Sequence, residues 1–204
     1  SKDLPTVLIY DIAYLDMDFR KPSEARKKFA LLTKTKPHIL TSIAFSASKT
    51  FAIYGQRLGA QLILGQDPNN VIDLYNAANY TARNTWSNSN KAMINLMIRM
   101  NHDSVLKERF LEELAQVRFI LKKRSELFLR EAEAAGLECY PYDGGFFVTI
   151  PVHDNEEVLE ALIKQEKIYL LPFFGSVRLG LCSLPLADLK GLARRLARVI
   201  REMK

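Results

Sequence analysis

The sequence predicts an α/β fold, in which a mostly parallel sheet with helices is followed by a smaller α+β layer. Three observations support this prediction. Apolar, strand-like runs alternate with a helical pattern near the start of the chain. One helical pattern in the middle is unusually long, and short strands alternate with amphipathic helices after it.

The first elements predict a β-α-β unit. The run PTVLIYDIAY is almost continuously apolar, which is typical of a strand buried on both faces of a parallel sheet. A helical pattern from Ser23 to Lys34 follows, and HILTSIAFS predicts a second buried strand. The run GAQLILG predicts a third strand at or near the sheet edge.

The middle of the chain is predicted to be helical. Turn residues in DPNN open one helix, and a second covers Met93–Met100. A longer pattern from about Asp103 to Ala135 exceeds the usual length of a globular helix, and Gly136 is expected to end it as a C′ glycine. Because such a helix can join two domains, we place a boundary near residue 115, with domains 1–114 and 115–204.

The last part of the chain predicts a small α+β domain. Its expected elements are the strands LECYPY, FFVTIPV, IYLLP and VRLGLCSL, the helix NEEVLEALIKQE and a C-terminal helix. On that last helix Arg194, Arg198 and Arg201 share one face. The other face carries the apolar residues Leu189, Leu192, Leu196, Val199 and Ile200. The basic stripe indicates either nucleic-acid binding or, as we favour, a solvated face.

Composition excludes several classes of protein. The 204 residues are 48% hydrophobic and 25% charged, with a net charge of +6, as in an ordinary globular protein. No apolar run approaches the roughly twenty residues of a membrane helix. Cys139 and Cys182 form no CxxC pair, and the three histidines lack metal-ligand spacing. We therefore expect a cytoplasmic protein with no metal, membrane or nucleic-acid partner.

The segment SIAFSASKTFAIYGQRLG is the first to suggest chemistry. Lys49 follows Ser46 and Ser48, and Arg57 comes eight residues later. Serine hydroxyls and a guanidinium can bind a phosphate, while a neutral, positioned lysine amine can act as a nucleophile. The pattern thus fits either a phosphorylated carbonyl cofactor bound to Lys49 or a polar loop between two strands.

Three further residues favour the cofactor. Asp11 ends the first strand, so its carboxylate is expected at the strand edge where open α/β sheets bind ligands. There it could keep the pyridine nitrogen of pyridoxal phosphate protonated, while Tyr14 donates to the phenolate oxygen. Arg178 lies in an apolar, strand-like run, where a guanidinium requires an anionic partner such as a substrate carboxylate.

With DIAY, SASKTFAIYGQRLG, DGGFF and VRLGLC in this order, the chain resembles the class I, fold-type I pyridoxal-phosphate aminotransferases. The resemblance implies the C-terminal part of a PLP-transferase large domain, then a small α+β domain. It implies Lys49 as the Schiff-base lysine and general acid/base. It also implies cofactor contacts from Asp11, Tyr14, Ser46, Ser48 and Arg57. Arg178 would hold the substrate carboxylate, with Phe147 near the substrate.

The segment ARNTWSN resembles the aspartate and aromatic aminotransferase subgroup more closely. In that subgroup an arginine at the position of Arg83 reaches across a homodimer to the distal carboxylate of the substrate. The prolines usual after this segment are replaced by Ser89 and Asn90. An exposed arginine at a helix end is the alternative interpretation of Arg83.

The resemblance implies that amino groups move between a dicarboxylic or aromatic amino acid and a 2-oxo acid. Counterparts of the family's N-terminal phosphate loop and cofactor-stacking ring do not occur in the sequence. We therefore expect a C-terminal fragment with little or no activity of its own. Two alternatives stay open: another pyridoxal-phosphate reaction, such as β-decarboxylation, elimination or racemisation, and a non-catalytic regulatory domain of the same fold.

Overall fold

A computed structural model of the chain describes residues 4–203. Internal contacts divide the chain into two compact units, Ser1–Leu114 and Ala115–Lys204. Each unit has its own three-stranded sheet. In the part of the chain that the structure describes, no helix is long and apolar enough to cross a membrane.

A three-stranded sheet organises the first unit. Its strands are β1 (Thr6–Asp11), β2 (Ile39–Ser46) and β3 (Gly59–Leu64), in the order β1-β2-β3. β1 pairs with β2 in parallel, and β3 pairs with β2 antiparallel, so the described sheet is mixed. The connection from β2 to β3 holds only short helical turns, too little for the crossover helix that a parallel pairing needs. The predicted edge position of the third strand is confirmed.

Two expectations for the start of the chain are wrong. The helix predicted over Ser23–Lys34 consists of two short helices, α1 (Pro22–Ala25) and α2 (Phe29–Leu32). Between them the backbone forms turn-type bonds, from the Lys27 N–H to the Glu24 carbonyl and from the Phe29 N–H to the Arg26 carbonyl. The strand predicted to be buried on both faces is largely exposed, because the described helices leave most side chains of β1 uncovered.

One short α-helix lies between β2 and β3, and three longer helices follow β3 in the first unit. They are α3 (Ala47–Thr50), α4 (Pro68–Thr85), α5 (Lys91–His102) and α6 (Ser104–Ala134), of which α6 continues past the unit boundary. Asp67 and Asn90 cap α4 and α5 by accepting backbone N–H bonds. The predicted long helix is confirmed as α6. Gly136 follows it with φ +65°, and the Leu137 N–H bonds the Ala132 carbonyl, as at a glycine-terminated helix.

The second unit combines an antiparallel sheet with helices. Its elements after α6 are β4 (Phe147–Pro151), α7 (Asn155–Glu166), β5 (Leu171–Phe173), β6 (Ser176–Gly180), α8 (Leu186–Leu189) and α9 (Leu192–Glu202). The strand order is β4-β6-β5, with both pairings antiparallel. The strand predicted over LECYPY is wrong, since the segment forms no strand. The Tyr140 N–H bonds the Thr149 carbonyl of β4, but Pro141 has no N–H to continue a ladder.

A continuous apolar core stabilises the second unit. Phe128 of α6, Val148 of β4, Leu162 of α7 and Leu196 of α9 are completely buried in it. The apolar face predicted for the C-terminal helix is confirmed for Leu192, Leu196, Val199 and Ile200, which are buried on α9. Leu189 is buried as well, but it belongs to α8 rather than to the last helix. The same burial raises the pKa of the Cys139 thiol to about 11, and both cysteines are free thiols.

The basic stripe of α9 is exposed, as the favoured interpretation expects, because Arg194, Arg198 and Arg201 all lie at the surface. Some arginines of this helix also bind groups within the unit. Arg198 and the neighbouring Arg195 both bind the carboxylate of Glu166 at the end of α7. Arg201 donates to the Ala135 carbonyl, 2.8 Å away, just after α6. These arginines therefore satisfy helix ends within their own unit.

Among the described residues, more of the exposed large apolar side chains lie in the first unit than in the second. Side chains on β1 are open to solvent, with exposed fractions of 57% for Val7 and 69% for Ile9. Tyr75 and Tyr80 on α4 are exposed by 60% and 73%, and Ile98 on α5 by 51%. Exposed apolar side chains in this number promote association.

We expect the isolated chain to self-associate through the first unit. Covering its exposed terminal strand and apolar helix faces would lower the free energy. Sedimentation velocity over a concentration series should show species larger than a monomer. Replacing Val7 and Ile9 by lysine should shift the distribution toward monomer. A monomer at all concentrations for the unmodified chain would contradict the expectation.

Candidate active site

The parallel pairing of β1 with β2 defines one edge of the first sheet. β1 ends at Asp11, and β2 ends at Ser46, directly before α3 with Lys49. Asp11 lies beside Ala44 in the register, and the Ile12 N–H bonds the Ala44 carbonyl at 2.9 Å. Both chain segments therefore leave the sheet at its carboxyl edge, where α/β sheets bind ligands.

Asp11 is exposed at this edge. One carboxylate oxygen, Oδ1, accepts the Ala13 N–H at 2.9 Å, which orients the group over the turn that follows β1. Within residues 4–203, no hydrogen bond engages the other oxygen. The Ala13 N–H thus orients the carboxylate, and the second oxygen can accept a further hydrogen bond.

Lys49 lies between two tyrosine rings. Its Nζ is 4.6 Å from the ring centroid of Tyr54 and 5.7 Å from that of Tyr14. Ring faces attract an ammonium group through their quadrupole. Across the described range 4–203, no carboxylate forms a salt bridge with this amine. The structure brings Lys49 and Tyr14 together, although 34 other residues separate them in the sequence.

The three residues with phosphate-binding chemistry lie around the start of β3. Ser46 pairs with Gly59, and the Ala47 N–H bonds the Leu58 carbonyl at 3.0 Å, so the Arg57 segment runs beside Ser46. Only glycine fits at position 59, because a Cβ there would lie 2.7 Å from the Phe45 carbonyl oxygen.

Within this group Arg57 and Ser46 are the accessible donors. Arg57 has a left-handed backbone (φ 52°, ψ 50°), and its Nη1 donates to the Tyr54 carbonyl at 2.7 Å. The Ser46 Oγ accepts the Ser48 N–H at 3.3 Å, and its hydroxyl hydrogen can still be donated. Ser48 itself is buried, with an exposed fraction of 5%, so its hydroxyl is less available.

Tyr54 joins the two cationic groups, and sequence reasoning missed it. Its ring lies 4.7 Å from the Arg57 guanidinium carbon as well as 4.6 Å from the Lys49 amine. The available signal was an aromatic residue between the lysine and the arginine in SKTFAIYGQR. A turn places that aromatic between both side chains, which spacing alone did not reveal.

In the second unit, the candidate residues surround a guanidinium group. Arg178 lies in the central strand β6, opposite Thr149 of β4 and Leu171 of β5. Its guanidinium carbon is 3.5 Å from the ring centroid of Phe173 and 5.9 Å from that of Phe147. Its Nε is buried and has no hydrogen-bond partner among the described residues.

The hairpin between β5 and β6 places Phe173 on Arg178. A two-residue turn of Phe174 and Gly175 joins the strands, and Gly175 takes φ +62°, which favours glycine. The Ser176 hydroxyl donates to the Phe173 carbonyl at 2.6 Å and closes the turn. Phe173 was missed by sequence reasoning, because its contact with Arg178 depends on the strand register.

Arg83 lies apart from these groups. It is in the last turn of α4, exposed, and its Nη1 donates to the Ser87 hydroxyl at 2.6 Å. Trp86 beside it is 64% exposed. Over residues 4–203, no hydrogen bond or ring contact joins Arg83 to Lys49. No group of metal-binding side chains occurs in the same range.

Comparison with known proteins identifies the family. The sequence model described as aminotransferase class I and II matches residues 2–196. A crystal structure of an aminotransferase from Anaerococcus prevotii is 28% identical, with a TM-score of 0.85, over 95% of this chain and 47% of that one. An aromatic-amino-acid aminotransferase from Burkholderia pseudomallei, covalently bound to pyridoxal phosphate, is 20% identical, with a TM-score of 0.68, over 95% and 48%.

A mutant aspartate aminotransferase of Thermus thermophilus is 22% identical, with a TM-score of 0.64, over 95% of this chain and 48% of that one. The chain thus spans about half the length of these structures. No curated protein gives a significant match. Because the family match covers most of the chain, the chain belongs to the class I and II aminotransferases, a family of pyridoxal-phosphate enzymes.

Proposed function

We propose that this chain is part of an aminotransferase that moves an amino group between a dicarboxylic or aromatic amino acid and a 2-oxo acid. The observation that carries the proposal is the position of Lys49. Its amine lies between two tyrosine rings at the carboxyl edge of a parallel strand pair, close to Arg57 and without a carboxylate partner in residues 4–203. A structural surface lysine does not require this setting.

The residues fit pyridoxal phosphate. Arg57 and the hydroxyl of Ser46 would bind its phosphate, with Ser48 as a further donor. The acceptor that Asp11 retains would bind the protonated pyridine nitrogen, and the Tyr14 hydroxyl would donate to the phenolate oxygen. When bound, the cofactor supplies an electron sink for charge that develops on the substrate's α-carbon.

Lys49 has two tasks in this proposal. Its amine would hold the cofactor's carbonyl carbon, and as a free amine it would accept the proton of the substrate's α-carbon and return it. Both tasks need a side chain with a defined position. The ring faces of Tyr14 and Tyr54 provide it, since each attracts the amine while it is protonated.

Arg178 is the proposed binding group for the substrate's α-carboxylate. A buried guanidinium atom without a partner is costly, and a carboxylate can satisfy it with two parallel hydrogen bonds. Phe173 holds the guanidinium plane in place, and Phe147 lines the same cluster. The adjacent rings suit a substrate with an apolar or aromatic side chain.

Arg83 is the proposed binding group for the distal carboxylate of a dicarboxylic substrate in the partner subunit of a full-length homodimer. Arg83 now donates to the neutral Ser87 hydroxyl. A carboxylate would replace this hydroxyl favourably, because a guanidinium binds a carboxylate more strongly than a neutral oxygen. The exposed ring of Trp86 beside it supports a location at a subunit interface.

The Lys49 assignment predicts selective covalent labelling. After addition of pyridoxal phosphate and reduction with borohydride, peptide mass spectrometry should find the label mainly on Lys49, because this amine is held beside an anion-binding arginine. Lys49→Ala should remove that label, while Lys107→Ala, a change at an exposed lysine of α6, should leave it. Label spread over surface lysines, with no preference for Lys49, would overturn the proposal.

The Arg178 assignment predicts a specific role for an aromatic ring at position 173. Phe173→Leu removes the ring face but keeps an apolar side chain, so the guanidinium should become mobile and react roughly threefold or more faster with phenylglyoxal, given the usual strength of a cation–π contact. Phe173→Tyr keeps the face and should react at the original rate. Equal rates for all three proteins at Arg178, measured by peptide mass spectrometry, would disprove the stacking role.

We also expect the isolated chain to transaminate aspartate and 2-oxoglutarate poorly or not at all, since it spans about half the length of similar structures. A coupled assay of oxaloacetate formation with added pyridoxal phosphate measures this. Turnover that Lys49→Ala abolishes would contradict the expected inactivity and support the chemistry. Turnover that survives Lys49→Ala would argue against the chemistry itself.

A further inference from the structure

Asp16 connects the two chain segments that carry Tyr14 and Lys49. It lies in a short helical turn, Leu15–Met17, and this turn begins directly after Tyr14. Its Oδ2 accepts the hydroxyl of Thr50 at 2.9 Å, and its Oδ1 accepts a guanidinium hydrogen of Arg26 at 2.7 Å. Thr50 is the neighbour of Lys49 and the last residue of α3. One carboxylate thus bonds both segments.

The bond between Asp16 and Thr50 is partly buried. Thr50 is 8% exposed, the Asp16 side chain 21%, and the adjacent Met17 only 1%. Hydrogen bonds to an ionised carboxylate are stronger than neutral ones, and partial burial reduces competition from water. Arg26 compensates the charge of Asp16, which lowers the cost of placing the carboxylate there.

The helix that carries Lys49 depends on such contacts. α3 has four residues, far fewer than an isolated helix needs for stability. Its orientation is therefore set by tertiary bonds: the Ala47 N–H to the Leu58 carbonyl at one end, and Thr50 to Asp16 at the other. Of these two bonds, only the second joins α3 to the Tyr14 segment.

We propose that Asp16 is a positioning residue for Lys49, acting through the Thr50 hydroxyl to keep the amine on the Tyr14 ring. This inference rests on the proposed function, because it assigns Asp16 a purpose in placing the cofactor-binding amine. Asp16 does not touch the amine. Without its bond to Thr50, α3 can rotate, and Lys49 moves away from Tyr14 while β1 and β2 stay paired.

The experiment compares matched variants at both ends of the bond. Asp16→Asn weakens it and Thr50→Val removes it, whereas Thr50→Ser keeps the hydroxyl. Asp18→Asn is the control, since Asp18 also pairs with an arginine, Arg20, in the same segment. Circular dichroism verifies that each variant is folded. The measured rate is that of borohydride-trapped pyridoxal phosphate on Lys49, by peptide mass spectrometry.

We expect Asp16→Asn and Thr50→Val to slow this labelling roughly tenfold, as for loss of one charge-assisted hydrogen bond. Thr50→Ser and Asp18→Asn should stay within about twofold of the unmodified chain. Unchanged rates in Asp16→Asn and Thr50→Val, or a loss in Thr50→Ser equal to that in Thr50→Val, would overturn the proposal. If Asp16→Asn does not fold, the comparison of Thr50→Val with Thr50→Ser decides.

A second measurement separates this inference from the proposed function. Acetic anhydride labels free amines without any cofactor, and exposed Lys107 serves as the internal reference. Asp16→Asn should raise the reactivity of Lys49 relative to Lys107 severalfold, because the amine leaves its ring contacts. If pyridoxal phosphate fails to label Lys49 in the unmodified chain, the function is wrong, and acetylation still tests the effect of Asp16. An unchanged acetylation ratio would overturn the positioning role.

Discussion

The parallel pairing of β1 with β2 is the constraint on which the candidate site in the first unit depends. Parallel strands end at the same edge of a sheet, so the residues after β1 and those after β2 meet there. Asp11 and Tyr14 come from the first segment, and Lys49 from the second. If the register slipped by one residue, every side chain of β1 would change face and the Tyr14 turn would shift along the edge.

Around that edge, short irregular segments do the positioning. The tight approach of Gly59 to Phe45 brings Arg57 back beside the end of β2. The ring of Tyr54 then contacts both Arg57 and Lys49. A site of this kind gains its geometry from many individually weak contacts. Mutations in loops far from Lys49 in sequence can therefore change the position of its amine.

The two units differ in how well they bury apolar residues. The second unit has a continuous buried core that includes Phe128 and Leu196. The first leaves apolar side chains of β1, α4 and α5 in contact with solvent. The second unit has an unfavourable group of a different kind. The Nε of Arg178 is buried but has no hydrogen-bond partner within the described residues. A bound carboxylate would provide hydrogen-bond partners for the guanidinium, and an apolar surface packed on β1 would remove its side chains from water.

The sequence alone determined most of the order of elements, the long helix with its glycine end, the apolar face of the last helix and the family resemblance. Those features depend on local periodicity, capping and short motifs, which can be read along the chain. It also singled out Lys49, Arg57 and Arg178 as unusual cations, because their chemistry follows from residue type and spacing.

Only the tertiary structure decided which side chains meet. The contact of Tyr54 with two cations, the stacking of Phe173 on Arg178 and the bond from Asp16 to Thr50 all join segments through strand register and turns. The exposure of β1 was equally beyond the sequence, since an apolar strand reads the same whether or not another layer covers it. Long-range pairing and burial are properties of the folded chain, and residue patterns specify them only indirectly.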